Sequence, residues 1–267
     1  MELQGRLDQL KREGLGLVAV SYDPVPVLAD FAARRGITFP LLSDAGSAVI
    51  AQYGLLNTTV ETASAQYGIP FPGTFLLNAR GVVTSRMFER AYQERNTMAS
   101  VLVKLGAKLD VPGTQVTAPN LTLTTYVTDR VAAPGTHFSI VVDVAPGPRV
   151  HVYAPGVTGY IPIGLSVTAQ PGLVIRDPQF PKSEDYFFKP LNEHVAVYQK
   201  PFRVTQDLEI DPSPQAAGAL TNRTDMAVAG TLTYQACDDT VCFTPQSVPL
   251  TWTIGLRALD RERVQKQ

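Results

Sequence analysis

Cysteine is scarce, with two residues in a chain of 267, beside three histidines and one tryptophan. The histidines, His137, His151 and His194, lie far along the chain from both cysteines. No four-ligand Cys/His zinc set can be read from that spacing, and neither a metal nor a cofactor is expected. Charge of one sign is not in excess: 23 basic residues balance 24 acidic ones. With no Lys/Arg stripe interleaved with aromatics, nucleic acid is not an expected partner. No apolar run approaches the roughly 20 residues that cross a bilayer, so this chain is not expected to insert into a membrane. Met1 runs directly into Glu2-Leu3-Gln4-Gly5-Arg6, which lacks the basic-then-apolar order of a signal peptide. Internal repeats and low-complexity tracts are also lacking.

What is present changes character near residue 110. Helical patterns alternate with short apolar runs before it. Dense Val, Thr and Pro with many short strands follow it, and no amphipathic helix is expected until the charged end. The expected domains are 1–110 and 115–256, joined by Asp110-Val111-Pro112-Gly113-Thr114, with 257–267 as a charged tail.

In the first segment Leu3, Leu7 and Leu10 recur at helical spacing and Gly14 stops the helix. Leu15 to Ser21 is a continuous apolar run of the kind buried parallel strands use. Val25 to Arg35 reads as a helix entered through Pro24 and Pro26 and closed by Gly36. A short strand at Phe39 to Asp44 and a helix from Ser47 to Tyr53 follow. Thr74 to Asn78 and Val82 to Arg86 form a hairpin, and Asn96 is expected to cap a last helix. The order is α-β-α-β-α-β-β-α.

That order, with Val18-Ala19-Val20-Ser21-Tyr22-Asp23, Phe39-Pro40-Leu41-Leu42-Ser43-Asp44 and Tyr67-Gly68-Ile69-Pro70-Phe71-Pro72-Gly73-Thr74-Phe75-Leu76-Leu77-Asn78, resembles the redoxin branch of the thioredoxin superfamily, near the alkyl hydroperoxide reductase/thiol-specific antioxidant group. The resemblance implies an α/β thioredoxin-like fold, incomplete at its N-terminus. In that family the reactive cysteine opens the first helix, where the helix N-terminus stabilises a thiolate. Here no cysteine precedes Cys237. The favoured expectation is that the cysteine motif lies upstream, that antioxidant activity belongs to a longer protein, and that a strand is wanting between Leu17–Ser21 and Thr74–Leu77; the alternative is a redoxin domain that has lost its chemistry.

The second segment reads as an all-β sandwich. Its strand candidates are 120–129, 136–143, 150–153, 164–168, 195–198, 202–208, 226–235 and 247–254. Both cysteines fall in Tyr234-Gln235-Ala236-Cys237-Asp238-Asp239-Thr240-Val241-Cys242-Phe243-Thr244-Pro245, where Asp238-Asp239-Thr240 supplies the turn of a hairpin. Facing positions on antiparallel strands have Cα atoms roughly 4.5 Å apart, within reach of a disulfide. So short a loop stabilises little when closed. Spacing alone leaves open a structural disulfide, two unremarkable thiols or a redox pair.

Gly230 to Ile254, with its Tyr-Gln-x-Cys start, second cysteine and Val248-Pro249-Leu250 continuation, resembles the last hairpin of the immunoglobulin-like N-terminal domain of DsbD, the bacterial thiol:disulfide interchange protein. Val150-His151-Val152-Tyr153-Ala154-Pro155-Gly156 and Val195-Ala196-Val197-Tyr198 extend the likeness. The resemblance implies a thiol-disulfide oxidoreductase working through Cys237 and Cys242, with His151, Tyr153, Tyr198 and Tyr234 as pocket candidates. It also implies a covering loop from the Phe180 to His194 region. Glu184, Asp185 and Glu193 are acidic candidates there without an assigned role. The implied partners are thiol or disulfide proteins, a membrane electron donor among them, in a periplasmic or other extracytoplasmic setting. The competing reading is a non-catalytic binding or scaffold protein with a structural hairpin disulfide.

Overall fold

A computed structural model describes residues 2–64, 67–88, 95–104, 106–107, 109, 111–188 and 192–258. Lys189, Pro190 and the end of the charged tail lie outside them. The described chain is mostly β with some helices. It divides into two compact units, Met1–Met98 and Ala99–Gln267.

The first unit opens with α1 (Glu2–Gly5) and α2 (Leu7–Arg12), two short pieces where one helix is expected. Leu7 and Leu10 are its buried residues. After β1 (Ala19–Ser21), α3 (Val25–Arg35) starts behind Pro24 and stops at Gly36, whose φ of 61° is the left-handed conformation glycine adopts without Cβ strain. β2 (Leu41–Ser43) then pairs with β1 in parallel, as a right-sized helical crossover permits. α4 (Ala48–Gln52), the antiparallel pair β3 (Gly73–Leu77) and β4 (Val83–Phe88), and β5 (Arg95–Asn96) complete the unit. The pairs β1–β2 and β3–β4 are separate two-stranded sheets. Buried on both faces, Val18, Val20 and Leu42 would be core residues; here they are 52%, 51% and 51% exposed. Asn96 sits in β5, so the next helix begins after it.

The second unit begins with α5 (Met98–Lys104), where Ala99 and Leu102 are fully buried. The strands are β6 (Thr114–Ala118), β7 (Leu121–Val127), β8 (Val131–Ala132), β9 (Thr136–Pro146), β10 (His151–Tyr153), β11 (Gly164–Val167), β12 (Leu173–Gln179), β13 (Glu184–Phe188), β14 (Glu193–Tyr198), β15 (Phe202–Ile210), β16 (Asp225–Tyr234), β17 (Ala236–Cys237) and β18 (Gln246–Leu256). One ladder runs β12-β15-β9-β7-β6 and another β11-β16-β18-β8. Alternation does the sorting: along β16 every second residue from Met226 to Tyr234 is buried while its neighbours mostly face out. The inward faces of both ladders meet in one core that includes Leu123, Phe138, Ile140, Leu208, Val228, Leu232 and Trp252. Trp252 Nε1 donates to Thr125 Oγ1 at 2.8 Å, so the single indole N–H is satisfied across that core.

Three features depart from expectation. A helix, α6 (Pro214–Leu220), stands where none was expected. Ser213 caps it by accepting from the Ala216 N–H, with proline in the first turn. Thr114, expected in a linker, is the first residue of β6. The region expected as a covering loop instead holds the β13–β14 hairpin, registered from Glu184↔Val197 to Phe188↔Glu193. The aromatic run Tyr186-Phe187-Phe188 favours the pleated conformation over an open loop.

Candidate functional site

The cysteines sit at the tip of the long β16–β18 hairpin, where the chain changes sheets. All ten residues of β16 pair with β18, ending at Tyr234↔Gln246. Past Gln235 the backbone leaves that ladder, and β17 joins a sheet ordered β13-β14-β10-β17. The turn is built by Asp238. Its Oδ1 accepts from the Thr240 N–H at 2.7 Å, the Thr240 hydroxyl at 2.7 Å and the Val241 N–H at 2.8 Å. These bonds hold its carboxyl below the usual carboxylate range. The Asp238 N–H donates to the Val241 carbonyl at 2.9 Å, closing the turn. Cys237 and Cys242 are thereby brought opposite one another as an antiparallel bridge, with Cα atoms 4.0 Å apart, and are joined by a disulfide.

The two sulfurs have different surroundings. Cys237 is 1% exposed, in a small apolar cluster with Tyr153, Val195 and Val197. Cys242 is exposed. Tyr153 Oη lies 3.5 Å from Cys242 Sγ. A disulfide sulfur carries no hydrogen, so the hydroxyl is the donor.

β10 supplies the other wall. His151 pairs with Cys237 across the β10–β17 ladder, and Val152 pairs with Ala236. His151 and Tyr153 are two residues apart on one strand and so share a face; their rings meet edge-on at 5.4 Å. Tyr186, from β13, lies 4.6 Å from the His151 ring and donates its hydroxyl to Asp239 Oδ1 at 2.7 Å. Tyr160 stacks on Tyr153 at 4.2 Å and donates to Glu193. Two aromatic covers thus approach the disulfide, each tied down by a carboxylate.

The electrostatics follow from that packing. Burial lowers His151 from its usual range, opposed by the nearby Asp239 and Asp238 carboxylates. Burial raises Tyr153, with Glu193 adding to it. Tyr186 is pushed up to about 12, first by its bond to Asp239, and Tyr160 to about 12, first by its bond to Glu193. All three hydroxyls therefore stay protonated, as donors, at neutral pH.

Of the residues singled out in the sequence, the structure brings Cys237, Cys242, His151 and Tyr153 together. Tyr198 and Tyr234 lie in the main core instead. Tyr198 donates to the Pro181 carbonyl and stacks on Phe202, while Tyr234 donates to the Pro119 carbonyl. Glu193 takes part through Tyr160. Asp185 pairs with His194 at 2.7 Å on the surface, and Glu184 with Lys200 at 3.2 Å. Sequence reading missed Tyr160 and Tyr186. Tyrosines brought to a cysteine hairpin from a distant strand or loop leave no local trace, although the Glu-Asp-Tyr-Phe-Phe run does stand out for its aromatic density.

Comparison with known proteins agrees with the order of the two units. Residues 1–86 match the AhpC/TSA family, and residues 122–251 match the family described as thiol:disulfide interchange protein DsbD, N-terminal. Alkyl hydroperoxide reductase E of Mycobacterium bovis and that of Mycobacterium tuberculosis are each 35% identical over 89 residues, covering 30% of this chain. The chain spans 54% of the length of those relatives. Among solved structures, the N-terminal periplasmic domain of ScsB from Proteus mirabilis aligns at 16% identity and a TM-score of 0.35, over 51% of this chain and 49% of that one. The reduced N-terminal domain of Neisseria meningitidis DsbD aligns at 16% identity and a TM-score of 0.30, over 44% of this chain and 81% of that one. Along the chain, then, a segment that matches the AhpC/TSA family is followed by a segment that matches the DsbD N-terminal family.

Proposed function

We propose that this chain exchanges disulfides with thiol or disulfide proteins through Cys237 and Cys242. The observation that carries the reading is the unequal exposure of the pair: Cys242 is open to solvent and Cys237 is 1% exposed. A partner thiolate attacks Cys242 Sγ, a new S–S bond forms to the partner, and the electron pair of the broken bond passes to Cys237. In the opposite direction Cys242 attacks a partner disulfide and Cys237 resolves the mixed disulfide, releasing the partner's thiolate. The Tyr153 hydroxyl donates toward charge developing at Cys242. The DsbD N-terminal family match supports a setting outside the cytoplasm and a membrane electron donor as one partner.

For the first unit we propose a thioredoxin-like fold, supported by the parallel β1–α3–β2 crossover and the AhpC/TSA match. Peroxide reduction is not proposed for residues 1–86, which contain no cysteine. The domain limits 1–110 and 115–256 remain part of this reading.

The test is trapping in the full chain. Cys237→Ser should hold partner proteins as mixed disulfides on Cys242, whereas Cys242→Ser should hold none. Equal capture by both variants, or by neither, overturns the assignment. The packing of Cys237 against Tyr153, Val195 and Val197 favours one second reading, a purely structural staple. That reading predicts a large loss of stability on reduction.

A further inference from the structure

Resolution of a mixed disulfide requires a thiolate at Cys237, and this sulfur is badly placed to lose a proton. It is 1% exposed, and the Asp238 and Asp239 carboxylates follow it directly in the chain. Burial and adjacent negative charge both favour the protonated thiol. Bulk water does not reach it to act as acceptor. Of the titratable side chains about it, the tyrosines Tyr153, Tyr160 and Tyr186 stay protonated, whereas His151 is its register partner across the β10–β17 ladder. Directly opposed side chains share a face, with Cβ atoms about 4.5–5.5 Å apart. The His151 ring is held between Tyr153 and Tyr186, the residues that contact Cys242 and Asp239. Among the described residues no side-chain hydrogen bond engages the imidazole, which leaves a ring nitrogen available.

We propose that His151 is the proton acceptor for Cys237 in the resolving step, an inference that rests on the exchange reading above. The Cys237 thiol passes its proton to a His151 ring nitrogen. The thiolate attacks Cys242 Sγ of the mixed disulfide, the Cys237–Cys242 bond forms, and the partner leaves as a thiolate that takes a proton from solvent. In reverse, the imidazolium returns its proton to the departing Cys237 sulfur. Four titratable groups surround the imidazole, and a fifth, Glu193, acts on Tyr153. Asp238 and Asp239 draw its proton affinity up but do not outweigh burial, so its neutral, accepting form prevails below the ordinary range. Tyr153 and Tyr186 stay protonated and do not compete as bases. Glu193 is occupied by Tyr160.

The experiment is rapid mixing of the reduced full chain with 5,5′-dithiobis(2-nitrobenzoate). Its two cysteines allow two equivalents of coloured thiolate to be released: the first on attack by Cys242, the second on resolution by Cys237. In the wild type the second phase should be level above about pH 6.5 and decline below it. His151→Gln should slow the second phase at least about tenfold and leave the first within about twofold. Its second phase should then climb with pH toward the thiol range near 8.5. A wild-type second phase that itself rises about tenfold per pH unit from 6 to 8 overturns the proposal, and this arm needs no variant to fold. An unchanged rate and profile in His151→Gln also overturns it. Absence of a first equivalent, or its survival in Cys242→Ser, refutes instead the exchange reading on which it rests.

Discussion

Reducing the disulfide should loosen the hairpin tip without unfolding the domain, and the size of the effect can be worked out. The bond closes a loop with a sequence separation of 5. The loop-entropy relation for about six residues gives roughly 2 kcal/mol at 25 °C, against about 4.7 kcal/mol for a 100-residue loop. The main core holds Phe138, Leu208, Leu232 and Trp252 but neither cysteine, so it loses no contact when the bond opens. For a unit of this size, about 2 kcal/mol lowers Tm by roughly 4–8 °C. Trp252 makes the measurement specific, being the only tryptophan in the chain and 5% exposed in the second unit's core. Its fluorescence melt, with and without a phosphine reductant, should shift by that amount and remain cooperative. A drop beyond about 15 °C, or loss of the buried-indole spectrum at 25 °C, would mean that the disulfide is a staple. The structural-staple reading would then displace the exchange reading.

Three further outcomes are expected. Tyr186→Phe removes the hydroxyl that donates to Asp239 at 2.7 Å; disulfide exchange at Cys242 should quicken several-fold by stopped flow, and an unchanged rate would show that the tie does not restrain the tip. In Gly230→Ala the new Cβ would stand 2.7 Å from the Ser166 carbonyl oxygen and 2.9 Å from Trp252 Cζ3. Urea titration should show a loss of about 1–3 kcal/mol, and a neutral result would mean that β11 shifts freely. His151 titrates lower folded than unfolded because burial disfavours the imidazolium. The unfolded chain therefore binds more protons once the pH falls below about 6.5, and His151's contribution is intact above that value and lost progressively beneath it. Urea midpoints at pH 7.5 and 5.0 should differ less in His151→Phe than in the wild type; an equal difference would remove His151 as a cause.

Legibility in the sequence tracked how local the cause was. Strand alternation placed β9, β15, β16 and β18 to within a few residues, because one buried face writes a period of two into the chain. The proline entry and glycine exit of α3 were equally readable. At α6 the cues were a single Ser213-Pro214 step and seven residues of weak periodicity. β13 read as a loop because its side chains alternate between partly buried and exposed positions instead of filling a core. The cysteine pair was readable from spacing, and His151 and Tyr153 from adjacency on one strand. Exclusion of Tyr198 and Tyr234 was not, since both alternate with apolar neighbours as a pocket residue would. Only the change of sheet after Tyr234 separates the tyrosine packed under the core from the cysteine three positions later.

That change of sheet has a kinetic meaning. The β16 and β18 ladder is a long stem, closed along its length and packed on the core, whereas the tip beyond Gln235 is fastened by a turn, two register pairs to β10 and the disulfide itself. Amides of the stem should exchange with solvent only through global opening, and those of the tip through local opening. Under the proposed exchange, each opening and closing of the disulfide would then disturb a few residues while the remainder stays shut, adding no exposure to aggregation or proteolysis. The same separation lets the tip's sequence drift toward new partners without putting the folding of the sandwich at risk.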